Sequence, residues 1–468
     1  MTTTMLHPPA QVARPPDDRA DRRRRRVRRA DLLIVLAWTS AAVAAGLFLG
    51  TGTMDLSSAA GTVTALGIFA GLVGSDLVLI MLILAARVPL IDRAVGHDRA
   101  LAAHRQLGKP ALYLLLGHAL LLTVGYGLAD DRSFVSETVA LFTGTDMAIA
   151  YMSLALFLAV VGTSLVIVRR RLPYEAWHIV HLLSYAAVLL ALPHQLSQGG
   201  VLADSTIQRA YWICLYVAAL GAIAYFRVLR PALLSARHRV RVAGVEWVAP
   251  DAFTVTLNGR SLNRLRAVGG QFFYWRFLTP GTWWHAHPLS LSAEPTASSA
   301  RITVRVAGAG TRRLASLPVG TAVAFSGPFG LFTGTERVHR RVVMVAAGIG
   351  ITPIRAVLDT LRAAPGEATV VVRGSTWHEI YHWPELRDWA LTQGQRVFAS
   401  IGARAAGVEG WLSADDVARG VTTPSLLGDL GDTDVYICGP DGWADAAERR
   451  FRSLGVAPAD IHRERFSS

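Results

Sequence analysis

Two apolar stretches of this chain each carry two histidines at membrane-like separation. In residues 101–126, LAAHRQLGKPALYLLLGHALLLTVGY, His104 and His118 stand fourteen residues apart. At 3.6 residues per turn the second imidazole returns to within about 40° of the first, displaced by roughly 21 Å along the axis. That covers most of a hydrocarbon core of about 30 Å. In residues 174–195, YEAWHIVHLLSYAAVLLALPHQ, His181 and His194 stand thirteen apart. One histidine near each end of two helices is a ligand set for two stacked haems. Each iron takes one neutral imidazole from either side, so no ligand adds charge to an apolar bundle. A lone membrane histidine is more often an interhelical hydrogen-bonder. Four in two near-equal spacings point to iron.

One detail resists. Thirteen residues rotate an ideal helix by about 220° beyond whole turns, so His181 and His194 do not share a face of a straight helix. Pro193, just before His194, can break the ladder there and redirect it. His178 is a third histidine on this helix, but its sixteen-residue gap to His194 fits the partner spacing less well. It reads as a neighbour of the ligands.

These histidines need a membrane bundle to hold them, and the composition supplies one. A chain of 468 residues suggests about three domains, and 52% hydrophobic residues with a mean hydropathy of +0.35 exclude an ordinary soluble protein. The net charge of +13 sits in arginines beside apolar segments, which points to membrane topology and lipid contact rather than to nucleic acid. Two cysteines, Cys214 and Cys438, exclude a disulfide framework and a four-cysteine metal site. Nothing in the sequence sets an oligomeric state.

Residues 1–30, ending DRRRRRVRRA, read as a disordered basic tail. The long apolar run that follows lacks a small-residue cleavage site and reads as a retained first helix. Within 31–230 six spans are expected, at about 32–50, 62–86, 106–127, 147–168, 175–193 and 211–229. One set of connections carries the arginine tail, Arg87, Arg93, Arg99, Arg105, Lys109, residues 169–171, Arg227 and Arg230. The other carries Asp55, Asp130, Asp131, Glu137 and Asp204, with Arg132 and Arg209. The positive-inside rule then puts both termini in the cytoplasm, and a multi-pass protein of a bacterial cytoplasmic membrane is expected. His104 and His181 become the cytoplasmic pair, His118 and His194 the outer pair. Asp76, inside the second span, reads equally as a proton-moving or ligand-orienting group and as a protonated hydrogen-bonder.

Beyond the spans the pattern turns soluble. Residues 237–335 show short alternating strands with turns between them, as a small antiparallel β-barrel has. Residues 340–468 alternate strand and helix, an α/β domain with a parallel sheet and a nucleotide-binding character. There a strand runs into Ala347-Gly348-Ile349-Gly350-Ile351-Thr352-Pro353, where glycines let a pyrophosphate approach backbone N–H groups at a helix start. A later strand ends in Cys438-Gly439-Pro440. A buried structural cysteine is the plainer reading of Cys438. Arg373 follows the strand at 368–372, where an adenosine ribose would lie, and can pair with a 2′-phosphate.

These features resemble the ferric reductase and NADPH oxidase family over nearly the whole chain after the tail. The spans with spaced histidines look like its transmembrane domain. His287-Pro288-Leu289-Ser290 resembles its HPF[ST] flavin motif, residues 348–353 its GxGxTP motif, and Cys438-Gly439-Pro440 its CGP motif. The resemblance implies FAD, NADPH (with NADH possible) and two b-type haems, passing electrons to a small-molecule or protein acceptor on the outer face. By the same resemblance His287 to Ser290 line the flavin, Arg305 binds its pyrophosphate with Gly310 and Thr311 beneath, and Phe466 covers it where nicotinamide enters. Phe466 and Cys438 are then the residues at the reacting ring. Leu289 departs from the motif aromatic, and Ser467 and Ser468 extend past the usual terminal aromatic. The expected architecture is a six-helix transmembrane haem bundle, a β-barrel FAD domain and an α/β NAD(P)-binding domain. The rival readings are a superoxide-producing NADPH oxidase, a proton or ion transporter using the membrane histidines, and a non-catalytic anchor for a partner enzyme.

Overall fold

The computed structural model describes residues 16–49, 55–165, 168, 171–198, 200–203 and 205–465. Contacts divide the chain into two units, Arg28–Val228 and a second made of Met1–Val27 with Leu229–Ser468.

Among the described residues, six helices are long and apolar enough to cross a membrane: α1 (Pro16–Leu49), α2 (Ala59–Ala85), α3 (His97–Ala129), α4 (Met147–Ser164), α5 (Tyr174–Ser197) and α6 (Thr206–Ala222). The last continues through a π-helical stretch, Ile223–Leu229, into Arg230–His238. Ser58 starts α2 by accepting a hydrogen bond from the Gly61 N–H, satisfying one of the donors a helix start leaves open. Against α3, α2 presents Gly67, Gly71 and Gly74, spaced i, i+4, i+7. A β-carbon at these positions would lie 2.9 Å from Leu122, 2.4 Å from His118 and 3.1 Å from Leu114. That stripe of missing side chains is what lets the two helices pack closely in an apolar setting.

The expected disorder of residues 1–30 is corrected from Pro16 onward, where α1 has already begun. Arginine is a good helix former, and no glycine or proline interrupts the run before the apolar half. Two of its side chains also find carboxylates in their own unit, Arg23 with Asp460 at 2.6 Å and Arg26 with Glu336 at 2.9 Å. Residues 1–15 lie outside the described residues, as do Arg169, Arg170 and Asp204 of the charge pattern.

The second unit holds two three-stranded antiparallel sheets followed by a five-stranded parallel one. The first two have the orders β1–β2–β5 and β4–β3–β6, with β1 Arg241–Ala249, β2 Ala252–Asn258, β3 Phe272–Phe277, β4 His287–Ser290, β5 Ser299–Arg305 and β6 Val323–Phe329. Isolated bridges, Arg241 to Ala322 and Leu291 to Ile302, join them. Alternating inward residues such as Phe253, Val255, Phe273, Trp275 and Ile302 form one core between the sheets.

The parallel sheet runs β11–β10–β7–β8–β9, with β7 Arg341–Ala347, β8 Ala368–Gly374, β9 Arg396–Ile401, β10 Thr433–Cys438 and β11 Ile461–Glu464. Central β7 is apolar on both sides: Val342, Met344 and Ala346 pack on one face, Val343 and Val345 on the other. Because β8 lies on one side of β7 and β10 on the other, strand order reverses between them. The carboxyl ends of β7 and β10 therefore open a crevice, the place where such sheets bind ligands. Two helices begin there, α7 (Ile351–Thr360) and α8 (Asp441–Ser453).

Candidate redox sites

In the helical unit the histidines meet in pairs across α3 and α5. His104 Nδ1 lies 3.0 Å from the Met81 carbonyl and His118 Nδ1 2.9 Å from the Gly67 carbonyl, both on α2. A carbonyl only accepts, so each Nδ1 carries the proton and each Nε2 keeps a lone pair, the tautomer a metal needs. The His104 and His181 ring centroids are 6.2 Å apart. Two imidazoles bound through one metal at about 2.0–2.1 Å per bond have centroids roughly 6.3 Å apart. Trp177 stacks on His181, with centroids 5.0 Å apart and rings 25° from parallel.

His118 and His194 line one cavity of about 390 Å³, together with Gly71, Gln195, Trp212 and Tyr216. Among the described residues no three His, Cys, Asp or Glu converge as a metal-ion cluster. Paired imidazoles suit haem irons, not a bare ion. His181 Nδ1 and His194 Nδ1 are buried without a hydrogen-bond partner. By geometry and donor chemistry the four residues fit two haems. His178 lies with its ring 6.4 Å from that of Trp177, and the ring set against His104 is that of His181. Asp76 is 1% exposed, accepts from the Ser40 hydroxyl at 2.6 Å, and keeps Oδ2 buried without a partner.

Gly71 sets a condition on the second pair. A methyl there would lie 2.4 Å from His118 Nδ1 and 2.9 Å from its Cγ. Gly71→Ala is expected to displace that imidazole and halve the haem content, with the His104/His181 site kept. A pyridine haemochrome assay of the purified protein checks this.

The expected flavin residues gather at β4 and the end of β5. Antiparallel pairing sets His287 opposite Trp275 and Ser290 opposite Phe272, and Trp275 Nε1 donates to the Leu289 carbonyl at 3.2 Å. Leu289 packs against the core between the sheets, where an aliphatic side chain suffices, and Pro288 is exposed. His287 Nε2 is buried without a partner. Burial and then the nearby His285 push the His287 pKa down to about 4. A β-carbon at Gly310 would stand 3.9 Å from His287 Cε1, which brings the turn after β5 beside the motif. Thr311 Oγ1 accepts from the Ala307 and Gly308 N–H groups at 2.9 and 3.2 Å and holds that turn.

Arg305 donates to Asp251 Oδ2 at 2.9 Å, and the Tyr381 hydroxyl donates to Oδ1 of the same carboxylate at 2.8 Å. Burial, the largest single influence, would lower the Arg305 pKa, but the bond to Asp251 and the charges of Tyr381, Asp251 and Glu379 together raise it. A fixed, partly exposed cation and an orphaned ring nitrogen suit a flavin dinucleotide.

His287 also predicts a pH dependence. Its folded pKa lies below the unfolded value, so the stability it contributes is present above about 6.5 and is lost as pH falls towards about 4. Urea unfolding of flavin-free protein should show that loss, and His287→Gln should remove its part of the slope.

At the crevice, Gly348 (φ +52°) turns the chain from β7 into the short turn Gly348–Gly350. A β-carbon at Gly350 would lie 2.1 Å from the Cys438 carbonyl oxygen, and one at Gly439 2.8 Å from the Trp443 ring. Both glycines are there because the two strand ends approach. Ile351, Thr352 and Pro353 are buried in the first turn of α7, with the Thr352 hydroxyl donating to the Ile349 carbonyl. Pro440 directly precedes α8.

Cys438 has no exposed surface, and burial raises its thiol pKa well above the usual range. Its sulfur is therefore a core group as the chain stands. What it brings to the crevice is its backbone. Phe466 lies outside the described residues.

Arg373 is 9% exposed and donates to the Gly402 carbonyl at 2.8 Å and the Ser375 hydroxyl at 3.4 Å, with Nε buried without a partner. Burial lowers its pKa, Glu379 partly offsets that, and the neighbouring Arg404 lowers it further. Arg404 is exposed, held by the carbonyls of Gly410 and Gly442, and was not anticipated from sequence. It stands just past the end of β9, as Arg373 stands at the end of the neighbouring β8, and that nearness to a strand end was the available signal.

Residues 70–192 match the family described as ferric reductase like transmembrane component, and residues 344–449 that described as oxidoreductase NAD-binding domain. The chain is thus similar to a ferric reductase like transmembrane component over part of its helical segment and to an oxidoreductase NAD-binding domain over its parallel-sheet segment. Among its relatives, it is 25% identical over 237 residues to the toluate 1,2-dioxygenase electron transfer component of Pseudomonas putida, spanning 50% of this chain and 68% of that one. It is 32% identical over 160 residues to a flavohemoprotein of Vibrio cholerae, spanning 32% of this chain and 36% of that one. An NADPH oxidoreductase of Mycobacterium tuberculosis is 27% identical over 257 residues, spanning 52% of this chain and 63% of that one.

Proposed function

We propose that this protein carries electrons from cytoplasmic NADPH, through FAD and two b-type haems, to an acceptor on the outer face of the membrane, in the manner of a ferric or other metal reductase. The 6.2 Å separation of His104 and His181, on two neighbouring apolar helices, carries the reading, because it matches the spacing of two imidazoles on one iron. Nicotinamide delivers an electron pair as hydride and haem takes one electron at a time, so a flavin between them supplies the two-to-one conversion.

The chain's own part is to hold these groups and keep the carriers in order. The crevice between β7 and β10 admits the dinucleotide, with Gly348 leaving the backbone open to its phosphates and Gly350 letting the two strand ends close up behind it. Neutral His287 and charged Arg305 frame the flavin, one at its ring and one at its diphosphate. His104 with His181, then His118 with His194, hold the irons in a dry interior. The excess of arginine on one set of connections supports a cytoplasmic NADPH side.

Proteoliposomes test the whole path. With NADPH added outside and ferricyanide trapped inside, molecules whose nucleotide module faces outward should reduce the trapped acceptor. Reduction of external but never of trapped acceptor would contradict a transmembrane path.

A further inference from the structure

In a straight helix, His194 would point about 140° away from His181, yet His181 meets His104 and His194 lines the cavity of His118. Pro193 interrupts the ladder one residue earlier: it has no N–H to give the Leu189 carbonyl, so the last turn of α5 lacks one of the bonds that would hold it to the straight path. Something must then fix the rotation. The next side chain is Gln195. Its Oε1 accepts from the Trp212 indole N–H at 2.7 Å and from the Tyr216 hydroxyl at 3.0 Å, both on α6. Its Nε2 donates to the Ser75 hydroxyl on α2 at 3.3 Å.

An indole N–H is a donor only, so the atom of Gln195 facing Trp212 is the oxygen, and the orientation of the amide follows from chemistry. Both lone pairs of that oxygen are used. Trp212 and Tyr216 are 0% and 3% exposed. In so dry a place the network is costly to break, because each orphaned group would have no water to turn to. Gln195, Trp212, Tyr216 and Ser75 line the same cavity as His118 and His194.

We infer that Gln195 is the positioning residue of the outer haem: anchored to α6 and α2, it locks the turn after Pro193 so that the adjoining His194 imidazole faces His118. The inference rests on the di-haem reading. Gln195 touches no iron; it acts through the backbone it shares with His194. The His104/His181 pair, fourteen and thirteen residues from His118 and His194 along the two helices, does not depend on it.

The test uses full-length protein in lipid nanodiscs, with haem content, low-spin EPR signals and midpoint potentials as readouts. Wild type must first show two haems per chain; a wild type with none overturns the di-haem reading itself, before any variant is compared. Gln195→Leu removes all three hydrogen bonds. The double variant Trp212→Phe/Tyr216→Phe removes the two donors while keeping aromatic rings in place, and serves should the leucine variant not assemble. In both, the outer haem is expected to bind about 10–100-fold more weakly, as loss of a ligand-orienting partner does. Its EPR signal should shift or vanish, with the inner signal unchanged. Gln195→Glu, which has the same shape and keeps an acceptor for both donors, should retain both signals. The inference is overturned if the double variant leaves both signals and potentials at wild-type values. It is equally overturned if both haems are lost together, or if glutamate at 195 behaves like leucine.

Discussion

His118→Ala protein is expected to hold one haem per chain instead of two, bound by His104 and His181. NADPH should still reduce the flavin and that haem, because those steps precede the lesion, while reduction of an impermeant external acceptor falls to background. The reason is local. His118 is fixed by the Gly67 carbonyl on one side and lines a cavity with His194 on the other, so nothing else on α3 can take its place. His104→Ala should do the opposite: no haem receives NADPH electrons, even where the outer one still binds. His178→Ala should keep both haems. Two haems in His118→Ala, or one in His178→Ala, would show that the ligands are assigned wrongly. Optical spectra and haem content of the purified variants decide it.

The second large effect concerns coenzyme choice. Two guanidinium groups stand near the carboxyl ends of β8 and β9, held by backbone carbonyls rather than by carboxylates. Holding through carbonyls leaves the charge available to an anion, and a 2′-phosphate on an adenosine ribose is the anion that separates NADPH from NADH. Arg404 is exposed and Arg373 is 9% exposed, so Arg404 is expected to make the first contact, with Arg373 behind it. Loss of a charge-assisted contact of about 1.5–3 kcal/mol should lower kcat/KM for NADPH by about 10–100-fold in Arg404→Ala, with NADH changed little. Arg373→Ala should act in the same direction and also cost stability, since its guanidinium spans Gly402 and Ser375. Equal losses for both coenzymes in Arg404→Ala would place the 2′-phosphate elsewhere.

Much of this was legible in the sequence, and the reasons differ by element. Six spans could be counted because membrane helices must satisfy their backbone internally, and long apolar runs follow from that. The parallel sheet was legible because β7, from Val342 to Ala347, and the second half of β10, from Val435 to Cys438, read as short apolar runs ending in glycine turns. The arginine tail misled: composition argued against a core of its own, but a helix needs none when it continues a longer one and finds Asp460 and Glu336.

Arg404 was missed because its meaning depends on strand order, which places β9 beside β8 and is not written in the local sequence. Cys438 was legible as a position and not as a role, since only the fold shows its sulfur in the core and its carbonyl against Gly350. The thirteen-residue spacing looked like a defect in the ligand set. Its remedy, Gln195 reaching α6 and α2, joins residues far apart in sequence that no periodicity connects.

An absorption spectrum of the purified protein, taken without oxygen before and after NADPH, tests the central claim most directly. Two haems per chain are expected, with the sharp bands of reduced low-spin haem appearing for both once NADPH is added, and only when FAD is bound. A protein with no haem band, or with haems that dithionite reduces and NADPH does not, would contradict it.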